Sequence, residues 1–388
     1  MSSMWEWVQG RRLVRQRRGW VRAAGPAAVV RTDLSSNDYL GLSRDPRVCA
    51  AARDAVERFG AGARASRVVS GTSLAHVECE QAVGELVGQP SVLLFSSGYT
   101  ANLGVVSALA GPGTLLVVDE HVHASVMDAA RLGRAELVVT PHGDVGAVAR
   151  VLRERKVRRA LVVVESVYSV LGDAADVVGL AQACARYDAL LVVDEAHGVG
   201  VLGQGRGGVV AAGLAGVGHV VVTGTCSKAL GSQGGFVAGP EVLRDHVVNT
   251  ARSFIFDTGL APACAAAAAR AARIVAGSPE LVAGLHVRAD AVARICGVRR
   301  APGAVQSVPV GDASVAVELA GRVAQRGVGV GCFRPPSVPD GVSRLRLSVD
   351  GSVPLAQVQE AARVVREVVD GAGVGRGFSS SVVDGSSL

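Results

Sequence analysis

Of the forty basic side chains in this 388-residue sequence, only Lys156 and Lys228 are lysine; all the others are arginine. Lys156 stands in the run Arg153-Glu154-Arg155-Lys156-Val157-Arg158-Arg159, one solvated cation among several. Lys228 is set among small and apolar neighbours, Thr223-Gly224-Thr225-Cys226-Ser227 before it and Ala229-Leu230-Gly231 after it. A lysine amine can shed its proton and condense with a carbonyl, whereas a guanidinium stays protonated. Residue usage thus singles out Lys228 as a candidate imine-forming nucleophile.

Asp194-Glu195-Ala196-His197 closes an apolar run upstream of it. An imine-forming lysine needs a partner that exploits the imine. Pyridoxal 5′-phosphate (PLP) is one, because its aldehyde bonds the amine and its ring withdraws electrons. A carboxylate such as Asp194 would keep the ring nitrogen protonated. His197 would meet the ring hydroxyl, and His123 would stack on the ring face. Ser96-Ser97-Gly98-Tyr99-Thr100-Ala101-Asn102 reads as a loop opening a helix, where unpaired backbone N–H groups bind phosphate. Thr225 and Ser227 add hydroxyl donors. Taken singly, Asp194 is equally a strand-end cap, each histidine a structural residue and Gly98 a turn; their order and shared position argue for chemistry.

The positioning elements are visible as short apolar runs: Leu115–Val118, Leu137–Val139, Leu161–Val164, Leu190–Val193 and Val220–Val222. Each is continuous and rich in valine, as in parallel strands buried on both faces. Helical spacing appears between them, over Val145–Leu152 and Val178–Tyr187. This alternation predicts a doubly wound α/β architecture. Asp119–His123, Glu165–Ser169, Asp194–His197 and Thr225–Lys228 each follow one run. In an open α/β sheet the carboxyl ends of the strands form the binding crevice, so the four clusters should converge. From about 280 to 370 the pattern changes to a small α+β unit ending in a helix over Val358–Val369. The Gly- and Ser-rich end, 371–388, reads as a disordered tail. The expected organisation is an N-terminal arm (1–45), a cofactor-binding large domain (46–278), a C-terminal small domain (279–370) and that tail.

Composition narrows the class. The chain is 49% hydrophobic and 19% charged, which describes a globular protein. Only 4% is aromatic, so Val, Leu and Ala must fill the core. Residues 1–31 hold seven arginines against one acid, Glu6, and account for the whole net charge of +6. The remaining body is neutral and offers no duplex-sized footprint, so a phosphorylated small molecule is expected and nucleic acid is not. The seven cysteines are widely spaced with no C-x-x-C, which argues for reduced thiols in the cytoplasm and no structural metal. No run suits a signal peptide or membrane span. There is no G-x-x-x-x-G-K-[ST] and no H-E-x-x-H. Gly203-Gln204-Gly205-Arg206-Gly207-Gly208 reads as a flexible loop.

Several motifs together resemble the α-oxoamine synthases, PLP-dependent transferases of the aspartate-aminotransferase fold (fold type I). They are Ser35-Ser36-Asn37-Asp38-Tyr39-Leu40-Gly41-Leu42, Ser97–Asn102, His123-Ala124-Ser125, Glu165–Ser169, Asp194–Gly198 and Thr225-Cys226-Ser227-Lys228-Ala229. The resemblance runs from about Asp33 to Val369. It implies a mostly parallel large-domain sheet, a smaller α+β C-terminal domain and a homodimer. It further implies that Lys228 binds the cofactor aldehyde and later moves a Cα proton, with Asp194 at the ring nitrogen, His197 at the ring hydroxyl and His123 on the ring face. Gly98, Tyr99, Thr225 and Ser227 would surround cofactor groups, and Ser169 the ring side. Arg334 would hold the amino-acid carboxylate, with Ser337 lining the substrate site. An arm arginine, Arg15 or alternatively Arg17, would meet the acyl substrate. Within the family, Cys332-Phe333-Arg334-Pro335-Pro336-Ser337-Val338-Pro339, Ser343–Leu347, Gly231–Gly235 and Phe254–Thr258 point to members that condense L-alanine with a pimeloyl thioester. The alternatives are a sister synthase such as glycine C-acetyltransferase, a fold type I aminotransferase, or a nucleic-acid-binding protein using the basic arm. Leu171 and Asp176 stand where the family often has an acid and a proline, and Ser337 where threonine is usual.

Overall fold

The computed structural model describes residues 2–22, 24–26 and 29–373; the expected tail lies outside them from residue 374 onward. Its larger sheet has seven strands and its smaller sheet four. In chain order the strands are β1 (Thr32–Leu34), β2 (Ser91–Phe95), β3 (Thr114–Asp119), β4 (Glu136–Thr140), β5 (Arg159–Glu165), β6 (Leu190–Asp194), β7 (Val220–Thr225), β8 (Gly235–Gly239), β9 (Val305–Gly311), β10 (Val328–Phe333) and β11 (Ser343–Ser348). The large sheet runs β2-β8-β7-β6-β5-β3-β4, and only β8 runs opposite in direction to the other six strands. Parallel neighbours require crossovers, and the helices supply them. The first seven longer helices are α1 (Ser3–Arg17), α2 (Pro46–Phe59), α3 (Leu74–Val87), α4 (Gly98–Leu109), α5 (Ala124–Gly133), α6 (Val145–Glu154) and α7 (Val177–Arg186).

The valine runs are buried on both faces, and successive residues enter different cores. Val117, Val162 and Val193 pack into one cluster, while Leu116, Leu161 and Val192 pack into the other. Each such side chain contributes about 1.5–3 kcal/mol by leaving water. The run Leu137–Val139 departs from expectation. It forms β4 at the sheet edge, and Leu137 and Val139 are exposed there.

Local signals set the helix ends. Ser97 caps α4, Asp144 caps α6 and Asp176 caps α7, each accepting a backbone N–H from the first turn. The Asp176 carboxylate takes the Gly179 N–H at 2.9 Å. This gives the departure at position 176 a structural account: a helix-start aspartate does a job that proline cannot. Asp176→Ala is expected to lower unfolding stability by about 1 kcal/mol, measured by urea denaturation, with Asp176→Asn nearly neutral.

The smaller sheet is ordered β1-β10-β11-β9. Its first strand comes from the segment expected to be part of the arm: β1 pairs in parallel with β10, Thr32 opposite Val328. The run Gly203–Gly208 is not a loose loop. It winds into a short 3₁₀ turn and a buried helix start, where Glu195 accepts the N–H groups of Gly208 (3.0 Å) and Val209 (2.6 Å). Among the described residues, no helix is long and apolar enough to cross a membrane.

Candidate active site

The sheet places the four polar clusters side by side. Glu165 at the end of β5 is the register partner of Asp194 at the end of β6, and Asp194 is the partner of Thr223 on β7. A cavity of about 260 Å³ opens there, with Lys228, Asp194, His197, His123, Gly98 and Thr225 in its wall. A larger cavity of about 690 Å³ lies between Leu171–Ala174 and Gly297–Pro302, and it contains none of those residues. Leu171 therefore faces the second cavity rather than the reactive cleft.

Lys228 leaves β7 on a tight turn closed by the Gly231 N–H on the Lys228 carbonyl at 2.8 Å. Its Nζ lies 2.7 Å from His197 Nε2. Burial outweighs attraction from Asp194 and Glu165 and lowers the amine to about 8. Burial, with help from Lys228 and Arg346, also holds His197 well below the usual imidazole range. A neutral His197 therefore accepts from Lys228 at Nε2 and keeps its proton on Nδ1, which lies 2.6 Å from the Tyr39 hydroxyl. Tyr39 passes the chain on to Asn37 Oδ1 at 3.2 Å.

Asp194 is buried, and both oxygens are oriented: Oδ2 accepts from Asn102 Nδ2 at 2.6 Å and Oδ1 from the Ala196 N–H at 2.9 Å. Asn102 is itself fixed, accepting from Thr223 Oγ1 at 2.7 Å and donating to Ser125 Oγ at 3.1 Å. Each Asp194 oxygen keeps a lone pair for a further donor. His123 caps α5, its Nδ1 accepting the Ser125 N–H at 3.3 Å. That leaves the proton on Nε2. Desolvation by the surrounding protein, opposed by Asp194, lowers its pKa.

The donor set fits PLP. Gly98 and Tyr99 open α4, and among the described residues neither N–H has a backbone or side-chain acceptor. A Cβ at Gly98 would stand 3.1 Å from Thr225 Cβ, so glycine keeps this concavity open. Thr225 Oγ1 and Ser227 Oγ meet at 2.7 Å beside it. Helix N-terminus and hydroxyls suit a phosphate, the amine an aldehyde, and the oriented Asp194 a ring N–H.

Arg334, Ser337 and both candidate arm arginines stand outside the cleft wall. Arg334 donates to the carbonyls of Gly19 (2.6 Å) and Val21 (2.8 Å), so its guanidinium is taken up by the arm. Ser337 accepts from Arg22 at 2.7 Å. Arg15 is exposed on the last turn of α1, with no side-chain hydrogen bond among the described residues. Arg17 is likewise exposed there. Ser169 enters the cleft network through its carbonyl, which accepts from Arg346 Nη1 at 2.9 Å.

Arg346 is the cation that the sequence reading passed over. It is buried, bonds Asn37 Oδ1, lies over Phe333 and keeps a buried Nε with no partner. Its signal was the alternation Arg344-Leu345-Arg346-Leu347, which puts both arginines on one face of a strand. Glu165 was also missed as a site residue. Burial first, then the neighbouring Asp194 charge, raises its carboxyl well above the usual range, and its Oε1 is buried without a partner.

The chain is similar to several known proteins along most of its length. The family "Aminotransferase class I and II" matches residues 30–365. An 8-amino-7-oxononanoate synthase of Mycolicibacterium gilvum (strain PYR-GCK) is 51% identical over 351 residues, 90% of this chain and 92% of its own. A protein of Mycobacterium tuberculosis (strain ATCC 25618 / H37Rv), named 8-amino-7-oxononanoate synthase 1, is 50% identical over 345 residues, 89% of each chain. Among solved structures, a lysine-to-alanine variant of serine palmitoyltransferase from S. paucimobilis with a bound PLP–myriocin aldimine matches with a TM-score of 0.87 at 30% identity, covering 96% of this chain and 99% of that one. An 8-amino-7-oxononanoate synthase from Francisella tularensis matches at 0.75 and 23% identity, covering 88% and 99%, a likeness of fold.

Proposed function

Because the chain belongs to the aminotransferase class I and II family, we propose that it is a PLP-dependent acyltransferase of biotin biosynthesis, condensing L-alanine with a pimeloyl thioester to give 8-amino-7-oxononanoate, CO₂ and the free thiol of CoA or a carrier protein. The observation that carries the product assignment is the half-identity, along nine-tenths of both chains, to a synthase of that name. The cleft carries the chemistry. Bound there, PLP supplies an electron sink for the carbon that loses a proton or CO₂.

The chain's own groups do the rest. Gly98, Tyr99, Thr225 and Ser227 hold the phosphate, and Asp194 holds the ring nitrogen. Lys228 would hold the aldehyde, and its free amine would be the base for the Cα proton, because burial lowers it to about 8. His197 accepts from that amine and orients it. His123, with its proton on Nε2, donates to the thioester carbonyl as charge develops. Arg346 rather than Arg334 takes the amino-acid carboxylate: it is the buried cation joined through Asn37 and Tyr39 to His197, and its Nε lacks a partner among the described residues. Arg346→Gln is expected to raise KM for alanine by about 10- to 100-fold with a smaller change in kcat. Arg334→Gln should leave that KM within a few-fold.

The functional assay is CoA release with L-alanine, glycine and L-serine against pimeloyl, acetyl and palmitoyl thioesters. Highest kcat/KM for alanine with the pimeloyl donor is the expected result. The serine palmitoyltransferase likeness favours a second reading, serine with a long acyl chain, and preference for that pair would replace the first. The seven cysteines stand as free thiols, which supports a cytoplasmic setting. A homodimer is supported by apolar side chains left exposed, Tyr99 in the cleft wall and Phe256 among them, and by α1, which buries none of its residues within the chain.

A further inference from the structure

One cluster of titratable groups is left unused by this reading. His142 follows β4 with Nδ1 2.9 Å from Asp119 Oδ1 and Nε2 2.7 Å from Asp173 Oδ2. Carboxylates only accept, so both ring nitrogens must donate and the ring is an imidazolium. The ring stacks on His121 with centroids 3.8 Å apart and an interplanar angle of 17°. Tyr168 packs edge-on at 4.5 Å. The other charges facing the pair are Glu120, which accepts the His142 N–H at 2.9 Å, and Asp340, which faces His121 and is paired with Arg344.

Two links run from this ring to the cleft. Asp119 ends β3, and its Oδ1 also accepts the His121 N–H at 2.8 Å, fixing the turn that delivers His123. Asp173 closes a hairpin on the other side, where its carbonyl accepts the Tyr168 N–H at 2.8 Å and Val167 bridges to Ala174. That hairpin carries Ser169, whose carbonyl holds Arg346. His142 thus lies between the segment bearing His123 and the segment bearing Ser169, and touches neither residue.

We infer that His142 is a positioning residue: by clamping Asp119 to Asp173 it holds the His123 turn and the Ser169 hairpin as one unit around Lys228. Its consequence for turnover rests on the proposed function; the clamp itself does not. The pH response has a definite sign. Burial opposes charge on His142, but the two carboxylate hydrogen bonds outweigh it and push its pKa up to about 10. The clamp therefore stabilises the fold in full below about pH 6.5 and weakens progressively as pH rises through about 10. His121 is held below its ordinary value by burial and by the His142 charge, so it stays neutral.

The test uses the full chain, histidine-labelled with ¹⁵N, in its cofactor-free and holo forms. At pH 8, where an ordinary imidazole is neutral, both His142 nitrogens should be protonated. In the cofactor-free protein, His142→Ala and the milder Asp173→Asn should shift the His123 ring resonances with the fold intact. In the holoenzyme His142→Ala should lower kcat about 10-fold or more, and the double variant should be no worse than His142→Ala alone. A neutral His142 at pH 8, or unmoved His123 resonances in both folded variants, overturns the clamp. An intact clamp in a protein inactive with alanine and pimeloyl thioester would instead overturn the proposed reaction.

Discussion

Lys228→Ala and Lys228→Arg are both expected to reduce turnover by about 10⁴-fold or more, with the fold retained. Alanine removes the amine; arginine keeps a positive charge but cannot condense or act as a base near neutrality. Pairing the two separates the need for an amine from the need for a cation. The protein also permits a direct reading of the amine. With only two lysines in the chain, an amine-acylating reagent followed by peptide mass analysis reports on Lys228 separately from Lys156. In the cofactor-free protein, Lys228 labelling should rise through pH of about 8, whereas a solvated lysine titrates above 10. Lys228 labelling that rises only above about pH 10, or an arginine variant with full turnover, would remove the basis of the mechanism.

The second large effect is expected at Asp194. It sits at the end of β6, buried, with one oxygen held by Asn102 and the other by the Ala196 N–H. Asp194→Ala would remove the carboxylate that keeps the ring nitrogen protonated, so the ring would be held less tightly and would withdraw electrons less strongly. Loss of one partner of a buried ion pair costs about 3–5 kcal/mol, which corresponds to about 10²- to 10³-fold or more. The loss should appear in kcat/KM and also in PLP affinity measured by equilibrium dialysis, a readout independent of turnover. Asn102→Ala should show a weaker version of both, because Asn102 only orients the carboxylate. Wild-type PLP affinity in Asp194→Ala would show that this carboxylate does not face the ring.

The sequence and the structure agree best where a strong rule operates. Parallel strands present their carboxyl ends to one edge, so the polar residues following Val118, Val164, Val193 and Val222 were bound to meet once those runs were read as strands. Lys228, Asp194, His197 and His123 were legible for that reason. Strand β8 was not, because Gly235-Phe236-Val237-Ala238-Gly239 is short and ends in glycine on both sides. Its antiparallel insertion between β2 and β7 depends on packing rather than local pattern. The choice between Arg334 and Arg346 was also hidden. Both occur in strand-like stretches near the C-terminus, and only the register of β11 against β9 and β10 turns Arg346 toward Asn37 while the arm captures Arg334. His142 carries no motif. Its meaning comes from two carboxylates, 23 and 31 residues away, meeting at one ring.

The pairing of β1 with β10 has a bearing on how the chain can be shortened. Residues ahead of Thr32 include the exposed helix α1, and trimming them leaves both sheets fully paired. Cutting three residues further in, past Leu34, would strip the outermost ribbon from the C-terminal sheet and bare the main-chain donors and acceptors of Val328–Val330. An open edge of that kind recruits strands from other molecules. Solubility, more than catalysis, would then set the limit on truncation.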